Sequence, residues 1–275
     1  MLRKWTSKIA FMIMAATMAI GTVASDANAQ GFWEAVKERG ELRCGAALAS
    51  PWVMKNPKTG EYGGAYLDIC KQFAEVLNVK MTFVDTTWDN IIAGLQSGKW
   101  DLAPALNRSP QRALAINFSV PAGYDVVSIL YPSSSKKIVD PTPDLKTIDV
   151  AGNRVGVVAG TAHDQAVTQR FKAAQIVRLP QMAALQLALL SGQVDVAALP
   201  SDNSNLFKQA HGDKVTVLEP KPALLKQAIG FGLPRNVEGR DIAVFDIFLE
   251  EKAALGQVDA LMLHYGRVMT GDADW

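Results

Sequence analysis

Apolar and polar positions run through the same succession of periods twice along this chain. In the first copy Glu41-Leu42-Arg43-Cys44-Gly45 opens a strand-like run, a loop follows, and an amphipathic helical stretch occupies residues 66–77. A second strand-like run at 80–84 leads to a helix ending in Gly94-Leu95-Gln96-Ser97-Gly98-Lys99-Trp100-Asp101. The second copy opens with Asn153-Arg154-Val155-Gly156-Val157-Val158 and turns at Gly160 into a helix. Its next strand is expected at 175–178, and its last helix ends in Leu190-Ser191-Gly192-Gln193-Val194-Asp195. Both copies therefore finish with a helix, Ser-Gly-x-x-Asp and an apolar strand. Two β-α-β halves predict two α/β lobes with a cleft at the strand tips, an architecture that can close on a small molecule. Extended crossings near 127–131 and 227–233 would form the hinge.

The first 29 residues follow another pattern. Residues 1–8 are short and basic, with Arg3, Lys4 and Lys8, and 9–24 are apolar. Ala27-Asn28-Ala29 fits the small-x-small rule for cleavage before Gln30. The apolar run is broken by Thr17, Gly21 and Thr22 and is shorter than the ~20 residues of a spanning helix. Residues 1–29 are therefore expected to be a signal peptide. With no Leu-x-x-Cys lipid-attachment site near the cut, the mature protein is expected free in the periplasm.

Charge narrows the function. The chain has 28 basic and 27 acidic residues; without residues 1–29 these become 25 and 26, a net charge of about −1. Nucleic-acid binding needs a concentrated basic field, and none is present. The only cysteines are Cys44, in the first strand, and Cys70, in the helix beside it. Export makes a disulfide chemically possible, whereas two buried thiols are the other reading.

The motifs together resemble a known family. Gly64-x-Tyr66-Leu67-Asp68-Ile69, Thr87-Trp88-Asp89 and Leu95–Asp101 come first in order. Asn107-Arg108-Ser109-Pro110-Gln111-Arg112, followed by Ile116-Asn117-Phe118-Ser119-x-Pro121, is the most specific stretch. Val155-Gly156-Val157-Val158-Ala159-Gly160-Thr161 and the tail from Gly230-Phe231-Gly232-Leu233 complete the series. In order and spacing they are similar to the family-3 extracellular solute-binding proteins of ABC transporters for polar amino acids. The resemblance implies a two-lobed periplasmic-binding-protein-like (type II) α/β fold. Lobe 1 would comprise 30–126 plus 228–275, and lobe 2 would comprise 127–227, with a hinge of two crossover strands. It also implies a monomer that binds a small carboxylate or amino acid and delivers it to an ABC permease, with no cofactor and no metal.

The same resemblance places the ligand. Arg112 occupies the carboxylate-clamp position, where two parallel hydrogen bonds can hold a carboxylate. Leu106 and Asn107 lie at the end of the preceding strand. Opposite them, Thr161 and Ala162 start a helix whose free N–H groups suit an anion, with Thr161 also a natural N-cap. Ser50 and Trp52, after the first strand, complete the set, Trp52 either covering the ligand or packing within the lobe.

Departures from the family pattern bear on the ligand's other end. The Asp expected five residues after Asp195, which would hold an α-ammonium, is Pro200 here. Asp202 lies two residues on and is the available substitute. The family's second Thr is Ala162, and Ala46, Ala47 and Ala49 replace polar residues. The carboxylate end is thus kept and the ammonium end weakened, which tilts the expectation toward an amine-free carboxylate.

Catalysis has little support. His163, His211 and His264 match no metal spacing, and His163 is expected to face solvent. No Gly-x-Ser-x-Gly turn occurs. One enzyme alternative rests on resemblance: exported cyclohexadienyl dehydratases share this fold, and Glu61, Asp125 or Asp202 would be the proton donor.

Overall fold

The structure is a computed structural model, and it describes residues 31–139 and 144–275. The expected signal peptide lies outside the described residues.

The elements follow the repeat. Helix α1 (Phe32–Arg39) precedes β1 (Glu41–Ala47), the small hairpin β2 (Met54–Lys55) and β3 (Tyr62–Gly63), and α2 (Ala65–Leu77). Next come β4 (Lys80–Thr86), α3 (Ile91–Gln96), β5 (Ala103–Asn107), α4 (Pro110–Ala115), β6 (Asn117–Phe118) and the long β7 (Gly123–Pro132). The second copy has α5 (Leu145–Ile148), β8 (Arg154–Val158), α6 (Ala162–Arg170), β9 (Gln175–Leu179), α7 (Met182–Leu190) and β10 (Val196–Pro200). The chain finishes with α8 (Ser201–His211), β11 (Val215–Leu218), β12 (Lys226–Leu233), α9 (Gly239–Ala254) and α10 (Gln257–Thr270).

In the first copy β1 pairs in parallel with β4 and touches the start of β5 through a Cys44–Leu102 bridge. In the second copy β8 pairs in parallel with β9 and β10. The long β7 joins the two: Gly123–Val126 pairs with β12, whereas Val127–Leu130 pairs with β10. Strand β12 also pairs with β5 beyond Ile229. Two strands that change partners part-way along give the two-lobed α/β fold its hinge.

Apolar periodicity explains the packing. Helix α2 buries Leu67, Ile69, Cys70 and Phe73, and Phe73 stacks edge-on against Trp33 and Phe245. Strands β7, β8 and β10 bury Val127, Ile129, Val155, Val157 and Val196 in a separate cluster. Cys44 and Cys70 are free thiols buried in the first core; burial, reinforced by the hydrogen bond between them, pushes the Cys44 thiol up.

The shared Ser-Gly-x-x-Asp end has one physical purpose in both copies. Gly98 and Gly192 take φ of 67° and 70°, the left-handed turn that glycine adopts without a Cβ clash. The chain then delivers an aspartate to the start of the first strand. Asp101 accepts from the Arg43 backbone N–H at 2.8 Å and from its guanidinium at 2.9 and 3.2 Å. Asp195 accepts from Arg154 in the same way, at 2.8, 2.9 and 3.1 Å. Each is joined by a second cation, Arg39 or Lys137.

Burial pushes the Asp195 carboxyl up, but hydrogen bonds from Arg154 and Lys137 outweigh it and hold the group down at about 2. A carboxyl with a folded pKa below its unfolded value stabilises the fold above roughly pH 3.9 and loses that contribution as pH falls through about 2. Asp195→Asn is expected to cost on the order of 1–2 kcal/mol at neutral pH. The resulting Tm deficit should shrink below about pH 4. A deficit unchanged from neutral to strongly acid pH would show that ionisation of Asp195 is not its source.

Candidate functional site

The ends of β5, β8 and β10 meet the crossing strands at a narrow cavity. Asn107, Asp125, Val158, Pro200 and Ile229 reach it from the sheet. Leu48, Ala49 and Trp52 come from the loop after β1, Trp88 from the loop after β4, and Thr161, Ala162 and His163 from the start of α6.

Arg112 is held there by its own short helix. Pro110 starts α4, and the Ser109 side chain caps it by accepting from the Arg112 backbone N–H at 3.3 Å. The Arg112 side chain is buried, and its guanidinium donates to the Asn107 carbonyl at 3.1 Å and the Gly160 carbonyl at 3.4 Å. Burial lowers its pKa, yet a guanidinium stays charged in a protein. Among the described residues no carboxylate pairs with it. The cavity therefore contains a desolvated cation whose protein partners are two neutral carbonyls.

A carboxylate faces the same space. Asp125, on β7, is 3% exposed and accepts from the Asn107 amide at 2.6 Å. Its Oδ2 also contacts His163 Nε2 at 2.6 Å. Burial pushes the Asp125 carboxyl up, but the His163 charge and the hydrogen bonds from His163 and Asn107 outweigh it and hold the group below the usual carboxylate range. Its other oxygen, Oδ1, is buried and has no hydrogen-bond partner. A buried acceptor left unsatisfied is costly.

Thr161 works as the N-cap of α6. Its hydroxyl accepts from the Asp164 N–H at 3.1 Å and donates to the Val158 carbonyl at 2.7 Å. The N–H groups of Ala162 and His163 at the positive end of the helix have no acceptor among the described residues.

Of the residues expected from sequence, Arg112, Asn107, Trp52, Thr161 and Ala162 line this cavity together. Leu106 does not: strand alternation turns it into the core beside Leu95 and Trp100, while Ala105 and Asn107 face the cavity. Ser50 contributes its backbone carbonyl to Asn203 at 3.0 Å and stays outside. Asp202, in the first turn of α8, is exposed and lines a separate groove with Tyr124 and Glu219. Glu61 is exposed and also lies away from the cavity. His163 is buried against Asp125, contrary to the expected solvent-facing position, because its imidazole reaches the Asp125 carboxylate on β7. Asp125, named from sequence only as a candidate proton donor, has contacts there that the sequence did not reveal, since its partners come from β5 and α6.

A model of the bacterial extracellular solute-binding proteins, family 3, matches residues 42–212. The "Probable histidine-binding protein" of Campylobacter jejuni is 23% identical over 199 residues, covering 72% of this chain and 74% of that protein. The "ABC transporter glutamine-binding protein GlnH" of Bacillus subtilis is 27% identical over 175 residues, covering 62% of this chain and 60% of the relative. The crystal structure of the ancestral amino acid-binding protein AncCDT-1, described as a precursor of cyclohexadienyl dehydratase, superposes with a TM-score of 0.74 at 26% identity. That match covers 86% of this chain and 99% of the other. Among the described residues no helix is long and apolar enough to cross a membrane.

Gly160 allows the two sides of the site to meet. It has a φ of 73°, and a Cβ there would sit 2.3 Å from Asp89 Oδ1 and 2.8 Å from the Asp89 backbone nitrogen. Gly160→Ala adds left-handed strain of roughly 1–2 kcal/mol and a clash with Asp89. Opening the site relieves the clash, so ligand affinity is expected to fall about 10-fold with a smaller change in Tm. Calorimetric titration of the variant checks this, and unchanged affinity would show that the Asp89–Gly160 approach is not part of the binding-competent form.

Proposed function

We propose that this chain, which belongs to the bacterial extracellular solute-binding proteins of family 3, captures a free α-amino acid outside the cytoplasm and hands it to an ABC permease. The supporting observation is one cavity holding both a buried guanidinium without an anion and a buried carboxylate oxygen without a donor. The ligand's carboxylate takes the Arg112 fork and the free N–H groups that start α6. Its ammonium takes Asp125 Oδ1. Pro200 made an amine-free carboxylate the sequence expectation; Asp125, arriving from β7, supplies the missing acid from another strand.

Function then follows from differential closure. Arg112 already spans from α4 to the Gly160 carbonyl, and Asn203 of α8 donates to the Ser50 carbonyl. A ligand touched from both sides makes its full set of contacts only in the closed form and shifts the population toward it.

The Asp125–His163 pair favours a second reading, an acid–base catalyst acting on a cyclohexadienyl carboxylate. We propose binding without turnover, because His163 and Asp125 Oδ2 are committed to each other and Oδ2 also to Asn107. Purified protein incubated with prephenate is expected to yield no phenylpyruvate. Sustained formation that disappears in Asp125→Asn would replace the binding reading with the enzymatic one.

Cutting either end of the ligand grip has a separable effect. Arg112→Ala removes a charge-assisted pair typically costing ~2–5 kcal/mol, so affinity should drop by roughly 30-fold or more. Asp125→Asn should weaken an L-amino acid about 10-fold or more and leave its 2-oxo analogue nearly unchanged, since a charged hydrogen bond contributes ~1.5–3 kcal/mol. Calorimetry on both variants, with melting curves to confirm folding, measures this. Equal effects of Asp125→Asn on the two ligands would remove the ammonium from that position.

A further inference from the structure

Few of the side chains that line the cavity are ionisable. Arg112, Asp125 and His163 are its ionisable side chains, and Asp125 and His163 contact each other. The rest of the wall is apolar: Ala49, Trp52, Trp88, Ala105, Met182 and Pro200 all line it. Its neutral polar groups are directed at protein partners. The Trp88 indole N–H donates to the Leu48 carbonyl at 3.3 Å. The Asn107 amide donates to Asp125 and the Thr161 hydroxyl to Val158. The Trp52 indole N–H has no acceptor among the described residues, and one neutral donor cannot balance a full charge.

We infer that this site selects α-amino acids with an uncharged, largely apolar side chain, an assignment that rests on the α-amino acid reading above. Arg112 and Asp125 are taken up by the ligand's backbone charges. A cationic or anionic side chain would then enter an apolar space without an opposite charge to meet it, and a desolvated unpaired charge is strongly disfavoured. Leucine, methionine and phenylalanine side chains lose water against Trp52, Trp88 and Met182 with nothing left unpaired.

The test is a calorimetric panel on the purified protein, stripped of co-purified ligand by unfolding and refolding. The panel contains L-leucine, L-methionine, L-phenylalanine, L-arginine, L-lysine, L-glutamate and 4-methyl-2-oxopentanoate. At least one of the three apolar amino acids should bind 100-fold or more tightly than arginine, lysine and glutamate. A charged amino acid binding within 10-fold of the best apolar one would overturn the selectivity and leave the α-amino acid reading standing. Binding of 4-methyl-2-oxopentanoate as tightly as leucine, or of no amino acid at all, would overturn that reading and the selectivity with it.

Discussion

A guanidinium cannot give up its charge on burial, and that constraint at Arg112 organises the molecule. Removing it from water costs several kcal/mol that two backbone carbonyls offset only in part. The cost falls when an anion enters the same space. In the proposed site such an anion meets Arg112 from one side and the start of α6 from the other. On that proposal, ligand binding and approach of the two lobes are coupled events.

The scaffold that makes this possible is built twice. Each β-α-β half is fastened by an aspartate that grips the backbone and side chain of an arginine on its first strand. The rigid halves meet through β7 and β12, which change partners along their length. Stiff halves and a two-strand connection confine motion to the junction, where the cavity lies. Asp125 is on β7 just before its partner change, so the acid proposed to face the ligand belongs to the hinge itself.

The fold was legible because it rests on local signals. Apolar periodicity marked the helices and strands, and the repeated Ser-Gly-x-x-Asp marked the register of the halves. Arg112 was legible because its helix, cap and neighbours are contiguous in sequence. The cluster proposed for the ammonium end was not. Asp125, Asn107 and His163 lie 18 and 38 positions apart along the chain and form a cluster only when β5, β7 and α6 pack. Leu106 shows the opposite failure: it sits one position from Asn107, and strand alternation alone sends it to the other face. Asp202 looked like a substitute by spacing, but the first turn of α8 carries it to the surface while Pro200 faces the cavity.

The most direct test of the central claim is a crystal structure of the protein with the ligand it retains on purification. The ligand carboxylate is expected within hydrogen-bond distance of the Arg112 guanidinium, and an amine nitrogen within hydrogen-bond distance of Asp125 Oδ1. A ligand whose carboxylate lies away from Arg112, or whose amine leaves Asp125 Oδ1 still unpartnered, would contradict it.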